Sequence, residues 1–531
     1  MNTLKSLISL IIKPLKEYFH IFFTILILHS IVDISYFYVW KAHALGVLCY
    51  GLVISYLLTV PCIWLNKNKR LFSIYKYTIF TIYGISFSVD IISHAVLGSS
   101  LDINVVSAIL ATNKNEALEC IQTYFSIIPI IVGGVLLAAI YFCYKLLQKY
   151  KIRSQFFYLL WILGILSGFL ISTFSSRINL VGRFAHVGGP FGKIYLFYDC
   201  SEPINLQENL IHPKITVDKT NQPQNIVMII GESLTKHHCS TYGYEKETCP
   251  LLEKLENDST LYKFSNVKSP RDYTLPVFKE LFYQYREQNH DSIEWYQSPC
   301  LIDIISRSNY NTFWISNQSK KGLLDNVIGQ LSDLCTENHF VQIAGNHITY
   351  DESVIKFIQP ILNTASNNNF FVIHLIGSHT MFDQRYPEGR NKFGQEDYLD
   401  KPDNQRQILA EYDNSVLYND SVVNQIFNVF HDKEAIVFYY PDHAVDLFQS
   451  SPTYYGHANS SQESIKWGKE IPFYIYVTSK YKQKFAERIN SINKNINQPF
   501  CTDNMFYTIM DLIGASFPNN DIVQDSTLFR K

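Results

Sequence analysis

The chain has 531 residues, with 45 Lys and Arg against 47 Asp and Glu. That near-neutral balance excludes a generic basic nucleic-acid binder, and 47% apolar with only 17% charged residues excludes global disorder. The length predicts more than one domain, and the charge divides in the same sense. Residues 1–176 carry 13 basic and 6 acidic side chains, a balance of +7. Residues 177–531 carry 32 and 41, a balance of −9.

Five apolar runs, at 19–39, 45–65, 77–97, 125–146 and 156–174, are each close to the ~20 residues that span a bilayer as helix. Lys5, Lys13 and Lys16 precede the first run, Lys67, Lys69, Arg70 and Lys76 follow the second, and Lys145, Lys149, Lys151 and Arg153 follow the fourth. The alternate loops hold only Lys41 and Lys114. Basic residues stay cytoplasmic, so the N-terminus is predicted inside and everything after Phe174 outside, with the first run as an uncleaved signal. Asp33, Asp90 and His94 fall within runs. Asp90 and His94, four apart, share a helix face and read as a mutually satisfied polar pair near the outer end.

Residues 177–220, with Gly182, Gly188, Gly189, Pro190 and Gly192, read as a juxtamembrane linker, and 221–531 as an outer domain. There, short β-rich runs at 226–230, 312–316, 370–376, 435–440 and 472–477 alternate with helix-like stretches. This pattern predicts an α/β domain with a largely parallel sheet, in which ligands bind past the carboxyl ends of strands. Six of the ten cysteines (Cys200, Cys239, Cys249, Cys300, Cys335 and Cys501) lie beyond the last run. They permit three disulfides, with Cys239–Cys249 and Cys300–Cys335 as local closures.

The chemistry-bearing residues stand where that fold predicts them. The first run ends in Gly231-Glu232-Ser233, the third in Gly377-Ser378-His379 and the fourth in Pro441-Asp442-His443. Glu232, Asp442 and His443 form a mixed oxygen and nitrogen set suited to Zn²⁺, with a coordination position left for a nucleophile or substrate. A nucleophile is expected between the first and second strands, where Ser269 and Thr274 both offer hydroxyls. Spacing does not choose between them, and Thr274 also reads as a helix N-cap. His374 reads as packing or a supporting hydrogen bond, His237 and His238 as helix-surface residues, and Asp413 and Asp420 as helix-capping or solvated groups.

Taken together, these segments resemble the bacterial membrane-anchored phosphoethanolamine transferases of the alkaline phosphatase/sulfatase superfamily. The resemblance runs through Asn225-Ile-Val-Met-Ile-Ile-Gly-Glu-Ser233, Tyr242-Gly-Tyr244, Trp314-Ile-Ser-Asn317, His374-Leu-Ile-Gly-Ser-His379, Tyr412-Asp-Asn-Ser-Val-Leu-Tyr-Asn-Asp420, Asp442-His443 and Gly456-His457. It includes the five-span layout and the loop Thr112-Asn-Lys-Asn-Glu116. It implies a five-helix transmembrane domain joined to a periplasmic catalytic domain of alkaline phosphatase/sulfatase-like fold, in the bacterial inner membrane. Glu232, Thr274, Asp442 and His443 would then bind zinc, with Thr274 as the nucleophile that carries phosphoethanolamine. His379 and His457 would contact the phosphate, hold a second zinc or move protons. Asn317 and Lys321 would contact the substrate phosphate, and Thr112 and Glu116 would lie near the lipid donor.

The implied donor is phosphatidylethanolamine and the implied acceptor an envelope glycolipid, lipid A or a core sugar, handled by a monomer in the bilayer with no nucleic-acid partner. A phosphoglycerol transferase of the lipoteichoic acid synthase type is the rival enzyme, and another periplasmic glycan the rival acceptor. This chain departs from the family in having Asp442-His443-Ala444-Val445 where Asp-His-Gly-Glu is frequent, no cysteine close to Thr274, and Tyr507 where relatives often carry His.

Overall fold

A computed structural model describes residues 2–30, 41–97, 106, 109, 127–149, 154–174, 190, 194, 204–286, 294–320, 327–342, 349–364, 368–457, 461–517 and 526–529. Of the residues singled out in the sequence, Asp33, Thr112, Glu116, Lys321 and Cys200 lie outside these, as does the side chain of His94. The chain forms two compact units, one of residues 1–110 and 124–202, the other of residues 111–123 and 203–531.

The first unit is helical: α1 (Asn2–Ser30), α2 (Lys41–Thr59), α3 (Lys69–Leu97), α4 (Ile127–Lys149) and α5 (Gln155–Phe174). All five predicted apolar runs fall on these helices in whole or part. Leu48–Leu65 and Ile127–Lys149 are long and apolar enough to cross a membrane. Two features differ from the predicted spans. Helix α1 starts well before residue 19, carries Pro14 within it and breaks its helical dihedrals at Tyr18. The second run is not one helix, because Pro61 separates α2 from the short turn Cys62–Leu65.

Helix α1 supplies two stripes to the bundle. Tyr18, Ile21 and Ile25 pack with Tyr83, Phe87 and Tyr144, while Leu15, Phe19 and Phe22 pack with Tyr158, Ile162 and Ile165. The outer faces remain apolar: Ile128 on α4 and Phe156 on α5 are each 67% exposed. Asp90 is buried at 4% exposure, in keeping with an inward-facing polar group.

The second unit is built on a seven-stranded sheet. Its strands are β1 (Asn225–Gly231), β2 (Leu261–Lys263), β3 (Tyr310–Ser316), β4 (Glu337–Phe340), β5 (Asn368–His374), β6 (Ala435–Pro441) and β7 (Tyr474–Val477). Their spatial order is β2-β7-β6-β1-β5-β3-β4. The pairs β6–β1, β1–β5, β5–β3 and β3–β4 are parallel, whereas β7 runs antiparallel to both β6 and β2. All five predicted strands are present. The short edge strands β2 and β4 carry no long apolar run, which is why periodicity misses them. Strand β1 is central and buried along its whole length. Ile226, Met228 and Ile230 face one core, while Val227 and Ile229 face the other.

The expected linker ends earlier than residue 220. Leu206 is 2% exposed in the core, and Thr216–Val217 pairs antiparallel with Ala515–Ser516. Residues 204–220 are therefore part of the outer domain, which the polar composition of that stretch concealed. The eight described cysteines are free thiols, and those of Cys239 and Cys249 are in hydrogen-bond contact.

Asp413 and Asp420 are not solvated. Both face inward from the long helix Asp403–Phe430, at 0% and 2% exposure. Asp413 accepts from Tyr244 and Tyr398 and pairs with His238 at 2.6 Å. His238 is thus buried rather than on a helix surface. Helix α6 (Pro250–Asn257) has no local side-chain cap, and Asp420 supplies one by accepting from Leu251 N and Leu252 N at 2.9 Å each. Burial, outweighing those two donors, pushes the Asp420 carboxyl up to about 7. The folded value lies above the unfolded one of about 3.9, so the fold binds this proton more tightly. Its contribution to stability is withdrawn as pH climbs through that window. Asp420→Asn, which cannot titrate, is expected to gain on the wild type between pH 4 and pH 8. Thermal midpoints of both proteins at the two pH values check this, and a constant gap would contradict it.

Candidate active site

Parallel pairing sets the site. Ile230 is in register with His374 on one side and with Tyr440 on the other, and Gly231 with Pro441. Glu232, the 375–379 loop and Asp442-His443 therefore leave the sheet at the same edge.

The turn after β1 is strained and held. Ser233 has φ of 56°, a left-handed conformation that non-glycine residues adopt only when their surroundings impose it. Tyr412 on the long helix clamps it, donating from its hydroxyl to Ser233 O and accepting from Thr235 N, both at 2.9 Å. Across the edge, Gly377 (φ 53°) passes so close that a Cβ there would lie 2.7 Å from Glu232 N and O. Gly377→Ala is expected to cost about 1–2 kcal/mol through the left-handed backbone alone, and more through displacement of Glu232. A lowered melting temperature together with reduced bound zinc is the expected reading. A wild-type zinc content would show that Glu232 tolerates the shift.

Helix α7 (Thr274–Phe282) brings the hydroxyl. Tyr273 is its N-cap, so Thr274 is the first helical residue and its side chain is not spent on capping. Ser269 is fully buried and donates to Asp442 O at 2.6 Å. It braces the loop, which leaves Thr274 as the hydroxyl that faces Glu232 and His443.

Four groups converge. Thr274 Oγ1 is 3.3 Å from Glu232 Oε2, 3.5 Å from Glu232 Oε1 and 3.3 Å from His443 Nε2. His443 Nε2 is 3.0 Å from Glu232 Oε1 and 3.6 Å from Asp442 Oδ2. Four ligands at ~2.0–2.1 Å in a tetrahedron stand about 3.3 Å apart, so these separations are those of a zinc shell. His443 Nδ1 donates to Ala444 O at 2.8 Å, which fixes the tautomer and leaves Nε2 as the donor to a metal. Because a backbone carbonyl does this, Ala at 444 serves as well as the family's Gly. Val445 is a core residue, away from the ligands.

Charge makes the same demand. Asp442, His443 and Glu232 are at most 2% exposed, and Asp442 Oδ2 has no hydrogen-bond partner among the described residues. Burial, then the neighbouring Glu232 charge, pushes Asp442 up to about 7. Burial alone would lower His443, but Asp442 and Glu232 override it and raise it to about 10. Two buried carboxylates beside one imidazole suit a bound cation, and the mixed oxygen and nitrogen set is of the kind zinc takes.

His457 belongs closer to this center than sequence alone indicated. Its ligand atom and those of Glu232 and His443 lie within 4.8 Å of one another, with the His443 and His457 rings 4.4 Å apart. His379 sits one step further out, its ring 6.3 Å from that of His457. His374 is the expected supporting residue, fully buried with Nδ1 3.3 Å from Ser316 Oγ and its ring against Phe278 of α7.

Asn317 differs from expectation. It is fully buried; its amide donates to Thr349 O and Asp351 Oδ1, and its carbonyl accepts from Thr349. It braces the 375–377 loop through Asp351, which accepts from Ile376 N and Gly377 N, and is spent before any phosphate could reach it. The neighbouring Gln318 faces the site instead, donating from Nε2 to Glu232 Oε2 at 3.3 Å. The preceding strand could have signalled this, since alternate side chains at a strand end point to opposite faces.

Known proteins agree with the geometry. A family model described as sulfatase matches residues 224–515. Phosphoethanolamine transferase EptC of Escherichia coli K12 is 25% identical over 455 residues, 81% of this chain and 78% of that protein. The periplasmic domain of E. coli EptC, solved in complex with zinc, superposes with a TM-score of 0.54 at 24% identity, over 60% of this chain and 89% of that one. The integral membrane lipooligosaccharide phosphoethanolamine transferase A of Neisseria meningitidis superposes with a TM-score of 0.60 at 16% identity, over 98% of both chains, and shares the fold.

Proposed function

We propose that this chain, which belongs to the sulfatase family, transfers phosphoethanolamine from phosphatidylethanolamine to a glycolipid of the bacterial envelope, lipid A or a core sugar. The enzyme is a phosphoethanolamine transferase, with curated relatives of that name aligned over four fifths of its length. The observation that carries the reaction is the placement of Thr274 Oγ1 within 3.3–3.5 Å of Glu232 and His443.

Glu232, Thr274, Asp442 and His443 would hold one zinc ion, with His457 and His379 placed for a second. When bound, zinc lowers the pKa of a hydroxyl and offsets charge on phosphoryl oxygens. Thr274 Oγ1 attacks phosphorus in line; the new Oγ1–P bond replaces the bond to diacylglycerol and leaves phosphoethanolamine on Thr274. The acceptor hydroxyl or phosphate then displaces Thr274. Glu232 and His443 keep Oγ1 oriented. His457 Nδ1, with no hydrogen-bond partner among the described residues, would exchange a proton with the leaving or entering oxygen. Lys321, Thr112 and Glu116 complete the substrate contacts in this reading.

The donor is a bilayer lipid, which gives the helical unit its purpose. Five spans with a cytoplasmic N-terminus would hold a monomeric catalytic domain on the periplasmic face of the inner membrane, where tethering raises the donor's effective concentration. Expression in a host lacking such activity, followed by mass spectrometry of envelope glycolipids, tests the proposal. A phosphoethanolamine adduct made by the wild type is expected. A phosphoglycerol adduct would select the lipoteichoic-acid-type reaction, and no adduct would overturn the proposal.

A further inference from the structure

We infer that Gln318 is a positioning residue of the metal center, the side chain that holds Oε2 of Glu232 and so sets the orientation of that carboxylate toward the zinc. This rests on the zinc reading of the site.

Glu232 has two oxygens and one task. Oε1 stands 3.0 Å from His443 Nε2 and accepts from Ser233 Oγ at 3.0 Å. Oε2 accepts from Gln318 Nε2 at 3.3 Å and lies 3.3 Å from Thr274 Oγ1. The terminal torsion of a carboxylate is broad; the neighbouring Ser233 hydroxyl holds one oxygen, and the Gln318 amide, anchored on another strand, holds the other.

Gln318 is itself held at two points. Its backbone N donates to Ser316 Oγ at 3.0 Å, and its Nε2 also donates to Leu375 O at 3.0 Å. The two hydrogens of one amide therefore join the ends of three strands, β3 through Gln318, β5 through Leu375 and β1 through Glu232. Ser316 Oγ in turn lies 3.3 Å from His374 Nδ1, and the His374 ring packs against Phe278, one helical turn beyond Thr274 on α7. The Gln318 amide is thus the polar link between the support of the nucleophile helix and the metal carboxylate.

The assignment moves a role by one residue. Asn317 has the composition of a ligand-binding amide but is buried in the loop brace; Gln318, half-buried, has the contact. An amide suits the place better than a charged group. A carboxylate would repel Glu232, and a lysine would compete with the zinc for it.

Outer partners that orient metal ligands are typically worth about 10–100-fold in metal affinity. The test uses the full-length protein in detergent, stripped of metal and titrated with zinc against a chromogenic chelator. Gln318→Met keeps length and volume without the donor, and Gln318→Ala removes both. Zinc affinity about 10–100-fold weaker in Gln318→Met, with the melting temperature of the metal-free protein unchanged, is expected. Wild-type affinity in Gln318→Met would overturn the inference. So would a lowered metal-free melting temperature at unchanged affinity, which would make Gln318 a packing residue. Should Gln318→Ala fail to fold, the Met variant still decides. Zinc affinity is read without any substrate, so a failure here is separate from a failure of the transferase reading, which the glycolipid spectra report.

Discussion

Thr274→Ala is expected to reduce phosphoethanolamine transfer about a thousandfold or more while leaving the protein folded and able to bind zinc. The hydroxyl is the only atom lost that the reaction uses. Thr274 opens α7 without capping it, since Tyr273 is the N-cap, and it is half-buried, so its removal leaves no stranded buried donor. Glu232, Asp442 and His443 remain as ligands, the three-protein-ligand arrangement that zinc tolerates. Thr274→Ser keeps the oxygen and is expected to retain measurable activity. Rates of lipid-to-glycolipid transfer, read by mass spectrometry with the mass of any adduct on the chain, check both variants. Modification of the glycolipid by the Ala variant at the wild-type rate would sink the covalent mechanism.

Asp442→Asn should empty the metal site. The substitution preserves shape and leaves an oxygen to accept from His443 N, now 2.7 Å from Asp442 Oδ1. What it removes is the charge and the lone pairs of Oδ2, which is buried and has no hydrogen-bond partner among the described residues. Breaking one partner of a buried charge set costs about 3–5 kcal/mol, which corresponds to a loss of affinity of about a hundredfold or more. The metal-free variant should melt no lower than the metal-free wild type, because one of two neighbouring buried carboxylates has lost its charge. Metal analysis of the purified proteins and chelator competition supply the measurements. Full zinc in the variant would mean that Asp442 is not a ligand.

The charges also favour a bound divalent cation. Without a cation, burial and mutual repulsion hold Asp442 up, and the carboxylates hold a proton on His443. A divalent cation displaces such protons when it binds.

Some elements were readable from local pattern because their physics is local. Asn225–Gly231 is apolar on both faces since helices and loops cover both sides of a central parallel strand, and the same reasoning located β3, β5 and β6. Glu232, Asp442 and His443 were legible because parallel strands deliver the residues at their carboxyl ends to one edge. The edge strands Leu261–Lys263 and Glu337–Phe340 were not, since a strand with one neighbour needs no continuous apolar run. Residues 204–220 looked like linker because their burial is contributed by segments some 300 residues away, such as Ala515–Ser516.

Sequence alone determined that an apolar, basic segment precedes an acidic α/β domain, and that Glu232, Asp442 and His443 come directly after its strands. Both are consequences of composition and of periodicity along a few residues. Tertiary structure decided the choices between neighbours. Thr274 is available and Ser269 is not, because Ser269 is bonded to Asp442 O. Gln318 faces Glu232 and Asn317 does not, because Thr349 and Asp351 occupy the Asn317 amide. A hydroxyl or an amide has the same chemistry wherever it lies in the chain. Which one is free to act depends on partners far away in sequence, and only the folded structure brings those partners together.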